Sequence, residues 1–130
     1  MKFALVTGAS TGIGKATAIE LGKRGYQVGI VARNKEKLEE VKTLVGNAEI
    51  FICDLTDVTE INNLIERVKL WTTKLDILAN IAGIWHGNGI VYAGKDFSTF
   101  DEKVILDTYA VGFIAPSLLV HRLLPIMENG

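Results

Sequence analysis

The sequence contains little cysteine, histidine or proline. The single cysteine, Cys53, has no partner for an internal disulfide, and two histidines offer none of the spacings that bind zinc. With two prolines among 130 residues and 48% hydrophobic residues, the composition excludes disordered and collagen-like chains. We therefore expect one globular domain without a metal site, in a reducing compartment for which the cytoplasm is the default.

Positive and negative charges are nearly balanced. The chain has 14 Lys and Arg against 15 Asp and Glu, which gives a formal net charge of −1. This balance predicts neither a nucleic-acid partner nor binding to an anionic membrane surface. The apolar run Phe3–Val6 is too short for a signal-peptide core, and the longest low-charge stretch, Tyr109–Val120, is well short of a membrane span. We expect a soluble protein that binds neither nucleic acid nor membrane.

Short apolar runs alternate with helical patterns along the chain. The apolar runs lack strict polar alternation, as expected for strands that are buried on both faces. Strand and helix in succession predict right-handed crossovers and a parallel sheet, hence an α/β layered fold, whereas an antiparallel α+β domain would need hairpin signals. The predicted strands are Phe3–Val6, Gln27–Ala32, Ala48–Cys53 and Leu75–Ala79; the first helices are Ile13–Arg24, Lys35–Val45 capped by Asn34, and one that follows the cap Asp57.

A long helix is predicted from about Ser98 to Met127, after a glycine-rich loop from Ile84 to Asp96. Gly112 and Pro116 should bend this helix, because proline removes a backbone donor and clashes with the preceding turn. Its apolar residues spread around more than one face, which is more than one sheet can cover. These residues are Leu106, Val111, Phe113, Ile114, Leu118, Leu119, Val120, Leu123 and Leu124.

A glycine-rich turn joins the first strand to the first helix. Such a turn places free N–H groups and the positive end of the helix dipole against an anion, which suits a pyrophosphate. Gly8 permits the tight turn, Gly12 lets phosphates approach the backbone, and Gly14 lets helix and strand pack closely. Glycines as simple turn punctuation are the alternative. A triphosphate-binding P-loop is disfavoured, because Ala9 and Ala16 stand where that motif needs Gly and Ser or Thr.

Three motifs in this order resemble the short-chain dehydrogenase/reductase family, and the resemblance covers the whole chain. Taken singly, Asp54 could be a turn residue and Asn80 a strand-end hydrogen bonder. The resemblance implies a Rossmann-type doubly wound parallel sheet in three α/β/α layers. Residues 1–130 would be its dinucleotide-binding domain, with the first half of the sheet, the fourth strand and a long helix. The motifs are Thr7-Gly8-Ala9-Ser10-Thr11-Gly12-Ile13-Gly14, Asp54-Leu55 and Asn80-Ile81-Ala82-Gly83, supported by Leu75–Leu78, Ile114–Pro116 and Leu123–Met127.

The resemblance also implies roles for these residues in binding a nicotinamide dinucleotide. Asp54 would hydrogen-bond the adenine amino group, with Leu55 against the ring. Asn80 would tie neighbouring strands together, while Ala82 and Gly83 would pass close to the nicotinamide ribose. The residues that would surround the pyrophosphate and the adenosine ribose are Gly8, Ser10, Thr11, Gly12, Ile13 and Gly14.

The choice of cofactor depends on the end of the second strand. A carboxylate there would bind the ribose hydroxyls and select NAD, but this chain has Ala32 followed by Arg33. A guanidinium can pair with a 2′-phosphate, so the sequence predicts NADP(H), with NAD(H) still possible. Two observations weigh against NADP(H): Arg33 could be a solvated surface charge, and Thr11 stands where many NADP-binding relatives have a second basic residue.

The catalytic groups of the family are not found in this sequence. The family uses a Tyr four residues before a Lys, whereas Tyr92 and Lys95 are three apart and lie too early in the chain. Ser117 falls inside a helical pattern, and the family's helical Asn corresponds to Gly112, which has no side-chain group to hold a water. We assign no catalytic residue.

Three functions remain open. The first is an NADP(H)-dependent oxidoreductase of carbonyl and alcohol groups, whose catalytic Ser, Tyr and Lys lie beyond Gly130. The second is a non-catalytic nucleotide-binding module, and the third is an assembly protein that binds no cofactor. Trp85 and His86 could face a substrate, but a lone loop histidine is more often solvated and receives no role. In the resembling family the last helix packs against its copy in a homodimer; burial under further sequence is the competing explanation.

Overall fold

The fold is a parallel sheet with helices on both faces. The structure, a computed structural model, describes residues 1–84 and 91–127. Four strands follow the order β3-β2-β1-β4, and each neighbouring pair is parallel. The predicted α/β fold is therefore confirmed. The strands are β1 (Phe3–Thr7), β2 (Gln27–Ala32), β3 (Ala48–Ile52) and β4 (Ile77–Ala79); the helices are α1 (Gly12–Lys23), α2 (Lys35–Val45), α3 (Val58–Trp71), α4 (Glu102–Tyr109) and α5 (Ala115–Leu123).

Two hydrophobic cores, one on each face of the sheet, make the three layers. On one face α1 and α2 cover β1 and β2; on the other, α3 and α5 cover the same strands together with β3. Because both faces are covered, the central strands β1 and β2 are apolar except for Thr7 and Gln27 at their ends. The first core consists of Val6, Ala9, Ala18, Val28, Ile30, Leu38 and Val41. The second includes Leu5, Val31, Phe51, Ile61, Leu64, Ile65, Val68, Ala115, Leu119 and Leu123.

The fourth strand begins at Ile77, two residues later than the predicted Leu75–Ala79, and the two residues before it hold the chain beside the last helix and β1. The Leu75 N–H donates to the Ile126 carbonyl at 2.8 Å. Asp76 pairs with Phe3 twice: its N–H donates to the Phe3 carbonyl at 2.9 Å, and its carboxylate accepts from the Phe3 N–H at 2.8 Å. These contacts fix the start of β4 beside β1.

The long final helix predicted from Ser98 is interrupted. Phe97–Thr99 forms a separate 3₁₀ turn, and the Asp101 carboxylate caps α4 by accepting from the Lys103 N–H at 2.9 Å. A π-helical turn, Ala110–Ile114, separates α4 from α5. Pro116 lies at the start of α5, and in an unbroken α-helix its ring would clash with the carbonyl of the residue four positions earlier. The predicted irregularity thus takes the form of a π turn.

The segment Glu102–Ile126 is long and apolar enough to cross a membrane by length and composition alone. The expectation that no segment meets that test, which rested on the stretch Tyr109–Val120, was therefore wrong. Core helices of soluble proteins pass the same test. The inward face of this segment is buried in the second core, through Val111, Ala115, Leu119 and Leu123.

Candidate functional site

A cleft of about 720 Å³ opens at the carboxyl ends of the strands. This edge is where open α/β sheets bind their ligands. Asn80 is the only predicted cofactor-binding residue that does not line the cleft. The predicted residues that do are Gly8, Ser10, Thr11, Gly12, Ile13, Gly14, Arg33, Asp54, Leu55, Ala82 and Gly83.

The glycine-rich turn forms one wall of the cleft. Glycine is favoured at each of its three positions for a different structural reason. Gly8 has a φ of +66°, and a Cβ there would lie 2.8 Å from the Ala82 Cα. A Cβ on Gly14 would overlap the Gly8 carbonyl oxygen, so the close approach is between α1 and the turn, not between helix and strand as predicted. Gly12 has a φ of +54° and nothing within 4 Å of a Cβ position, which leaves open space above the turn.

Thr7 joins this turn to the segment after β4. It is 1% exposed, and its Oγ1 accepts hydrogen bonds from the N–H groups of Ile81 at 3.1 Å and Ala82 at 3.2 Å. Sequence reasoning expected Asn80 to tie neighbouring strands together. Its side chain is exposed and makes no hydrogen bond to any residue in the described ranges. The Thr7 contacts span more than 70 residues of sequence. The only indication of them in the sequence is that Thr7 belongs to the glycine motif.

The Asp54 carboxylate lies at the cleft after β3. Its Oδ1 accepts from the Thr56 N–H at 3.0 Å and from the Thr56 hydroxyl at 2.7 Å. Burial raises the pKa of Asp54, but these hydrogen bonds and the charge of Arg33 outweigh it, so the pKa lies below its ordinary value. Asp54 is therefore a carboxylate at neutral pH, as an acceptor for an amino group requires. Leu55, expected against the adenine ring, is 7% exposed and belongs to the second core as well as to the cleft wall.

Three polar residues line the corner of the cleft beyond β2. Arg33 is exposed there. Asn34 caps α2 by accepting from the Lys37 N–H at 3.0 Å. Lys37 lines the same corner, and sequence reasoning missed it because a charged run on a helix gives no indication of which lysine reaches the cleft.

Cys53 lines the cleft but is not a nucleophile at neutral pH. It is 1% exposed, and burial, aided by the negative charge of Glu60, raises the pKa of its thiol to about 12. The thiol is neutral and packs in the second core.

The side chains weighed and rejected for catalysis lie away from the cleft lining. Tyr92 is buried and packs on Phe100 with ring centroids 4.7 Å apart. The Ser117 hydroxyl donates to the Phe113 carbonyl at 2.7 Å. Gly112 lies in the π turn, whose Val111 does reach the cleft. Trp85 and His86 lie outside the described residues, and within the described ranges no cluster of His, Cys, Asp or Glu could hold a metal ion.

Comparisons with known proteins agree with this fold. A family model described as short chain dehydrogenase matches residues 2–130. Fatty acyl-CoA reductase of Acinetobacter baylyi is 35% identical over 126 residues, which cover 94% of this chain and 43% of that protein. A metagenomic short-chain oxidoreductase solved with NADP is 32% identical with a TM-score of 0.85, over 96% of this chain and 56% of that one.

A further solved structure contains a different cofactor. The 3-ketoacyl-(acyl-carrier-protein) reductase of Brucella melitensis, complexed with NADH, is 27% identical with a TM-score of 0.83. The match covers 96% of this chain and 49% of that one. The chain thus spans about half the length of these relatives.

Proposed function

The chain belongs to the short-chain dehydrogenase family, and from that membership we propose that it forms the cofactor-binding part of an NADP(H)-dependent oxidoreductase. The reaction is hydride transfer between the nicotinamide and a carbonyl or alcohol group of a small molecule. The observation that carries the proposal is the cleft itself. The glycine-rich turn, Arg33 and the Ala82-Gly83 segment line one continuous space at the edge of the sheet that binds ligands.

The turn before α1 fits a pyrophosphate. The open space above Gly12 lets an anion approach the backbone. The first N–H groups of α1 have no acceptor within the helix, and the helix dipole adds positive potential at the same place. The side chains of Ser10 and Thr11 lie on this wall and offer hydroxyl donors.

The opposite end of the cleft suits the nicotinamide ribose. Ala82 and Gly83 present small residues there, and Thr7 fixes the backbone of Ala82. Val111 adds an apolar wall from the π turn. When bound, the nicotinamide supplies or accepts the hydride, and the part of these residues is to hold it in place and exclude water.

We further propose that NADP(H) is preferred over NAD(H). Arg33 stands at the corner where the adenosine ribose would lie, and its guanidinium matches the geometry of a phosphate. The residue before it, Ala32, has no carboxylate to repel that phosphate.

The proton donor is proposed to come from sequence beyond Gly130. A carbonyl that accepts hydride also needs a proton from a group within hydrogen-bond reach. This sequence has no Tyr-x-x-x-Lys pair, and Gly112 replaces the Asn of the resembling family. We therefore expect cofactor binding, and no turnover, from these 130 residues alone.

The alternative is a non-catalytic NAD(P)-binding module, or an assembly module that binds no cofactor. The lack of a catalytic pair and the exposed apolar side chains of the last helix favour this candidate. In either case we propose a homodimer through that helix, because Leu106, Tyr109 and Phe113 are 68%, 63% and 59% exposed. We also propose a cytoplasmic protein, because its single cysteine forms no internal disulfide. Binding to nucleic acid is disfavoured by the net charge of −1, and insertion in a membrane is disfavoured by the inward face of the last helix, which packs in the core.

A titration of NADPH fluorescence separates these functions. Binding that is lost in Gly14→Val, where the side chain would overlap the Gly8 carbonyl, supports a cofactor site provided that circular dichroism shows the variant to be folded. No binding by the folded wild-type chain would leave only the assembly function. Oxidation of NADPH by the chain with a panel of aldehydes and ketones would show instead that a proton donor lies within the 130 residues.

A further inference from the structure

Lys37 lies outside the motifs that carry the family resemblance. It lies in the first turn of α2 and lines the same corner of the cleft as Arg33. The Asn34 side chain accepts from the Lys37 N–H at 3.0 Å, so the cap holds the Lys37 backbone directly beside the residue that follows Arg33. The two cations are therefore fixed on one short stretch of chain.

Neither cation forms an ion pair with a residue of the described ranges. Within the described ranges, the ion pairs join Arg24 to Glu20, Lys103 to Asp107 and Arg122 to Glu66. Arg33 and Lys37 take part in none of them. Two acidic residues belong to this region: Glu36, in the same first turn of α2, does not line the cleft, whereas Asp54 does and interacts electrostatically with Arg33. An anion entering this corner would meet two positive side chains that form no ion pair in the described ranges and the positive end of the α2 dipole.

Two cations suit a phosphate monoester better than a ribose hydroxyl. A phosphate monoester carries about 1.5 to 2 negative charges at neutral pH, whereas NAD(H) offers only hydroxyls at this position. Thr11, on the facing wall, contributes no charge. Lys37 is the lysine of α2 that lines the cleft, and it can supply a second cation there.

We propose that Lys37 determines cofactor specificity jointly with Arg33, its ammonium group pairing with the 2′-phosphate of NADP(H). The proposal rests on the NADP(H) preference proposed above. Arg33 supplies a planar guanidinium that can donate two hydrogen bonds to the phosphate. Lys37 supplies an ammonium group on a flexible side chain from the first turn of α2.

The test compares Lys37→Ala with Lys35→Ala. Lys35 precedes it by two residues in the same helical turn but does not line the cleft. Dissociation constants for NADPH and NADH are measured by fluorescence titration of the wild type and both variants, with circular dichroism to confirm that each is folded. Both positions are exposed, so neither substitution should unfold the protein.

We expect Lys37→Ala to weaken NADPH binding about tenfold, which is the effect of losing one charge-assisted contact, and to change NADH binding by less than about twofold. Lys35→Ala should change neither. If the wild type prefers NADPH but the two variants behave alike, the role of Lys37 is overturned while the proposed function stands. If the wild type does not prefer NADPH, both the NADP(H) preference and the role of Lys37 are overturned.

Discussion

A Cβ on Gly8 would lie 2.8 Å from the Cα of Ala82, so the turn after β1 and the segment after β4 touch through their backbones. The two are also joined by Thr7, whose hydroxyl accepts from the Ala82 N–H. The two ends of the proposed cofactor site are therefore one structural unit. A change at either residue should affect both folding and binding.

Replacing Gly8 by alanine should destabilise the protein and weaken NADPH binding. The positive φ and the overlap with the Ala82 backbone both oppose a side chain. Gly25→Ala is the control, since its φ is +86° and nothing lies within 4 Å of its Cβ position. We expect about 1 to 2 kcal/mol of destabilisation for the control and about 2 kcal/mol more for Gly8→Ala, measured by chemical denaturation. Equal losses would show that the contact with Ala82 is unimportant.

Thr7→Val should leave two backbone N–H groups without an acceptor. Because the site is buried, we expect a loss of about 2 kcal/mol in the free energy of unfolding. Thr7→Ser keeps the hydroxyl and should retain most of the stability. NADPH affinity should follow the same order. A valine variant as stable as the wild type would contradict the role given to this hydroxyl.

The Asp54 carboxylate should make the free energy of unfolding depend on pH in the acidic range. Its pKa in the folded protein lies below the ordinary value of 3.8, so its stabilising effect is present above that value and is lost as the pH falls through the lower folded pKa. Asp54→Asn removes this titration. Denaturation curves should show the advantage of wild type over the variant shrinking below about pH 4. A constant difference down to pH 2 would argue against a lowered pKa.

Cys53 should resist alkylation in the folded protein. The thiolate is the reactive form, and burial raises the pKa of this thiol to about 12. At pH 8 iodoacetamide should label the native chain far more slowly than the chain in guanidinium chloride. Mass spectrometry after timed exposure measures both rates. Rapid labelling of the native protein would show that the thiol is accessible and ionised.

A lysine at Phe113 should dissociate the proposed homodimer. Phe113 is 59% exposed on the last helix and packs against Tyr109 with ring centroids 5.5 Å apart. Leu70→Lys is the matched control, because Leu70 is 89% exposed on α3. Sedimentation should give a dimer for the wild type and the control, and a monomer for Phe113→Lys. A folded wild-type monomer would contradict the proposed interface.

Much of the fold follows from local pattern. The caps Asn34 and Asp57 and the apolar runs were enough to place α2, α3 and the parallel strands. The start of β4 was not predictable, because the partners of Leu75 and Asp76 are far away in sequence.

The site shows the same division. The glycine motif and Asp54 could be predicted to lie at the cleft because they directly follow the ends of strands. Thr7 and Lys37 were missed because their importance comes from what the fold brings beside them. The π turn lies just before Pro116, whose ring would clash with an unbroken α-helix. The sequence predicts a bend there but not the form that it takes.

The most direct test of the account is the ratio of dissociation constants for NADH and NADPH, measured on the wild type and on Arg33→Ala. The account predicts a ratio of about ten or more for the wild type, falling towards one in the variant as the pairing with the 2′-phosphate is lost. A wild-type ratio near one, or a ratio that Arg33→Ala leaves unchanged, would contradict it.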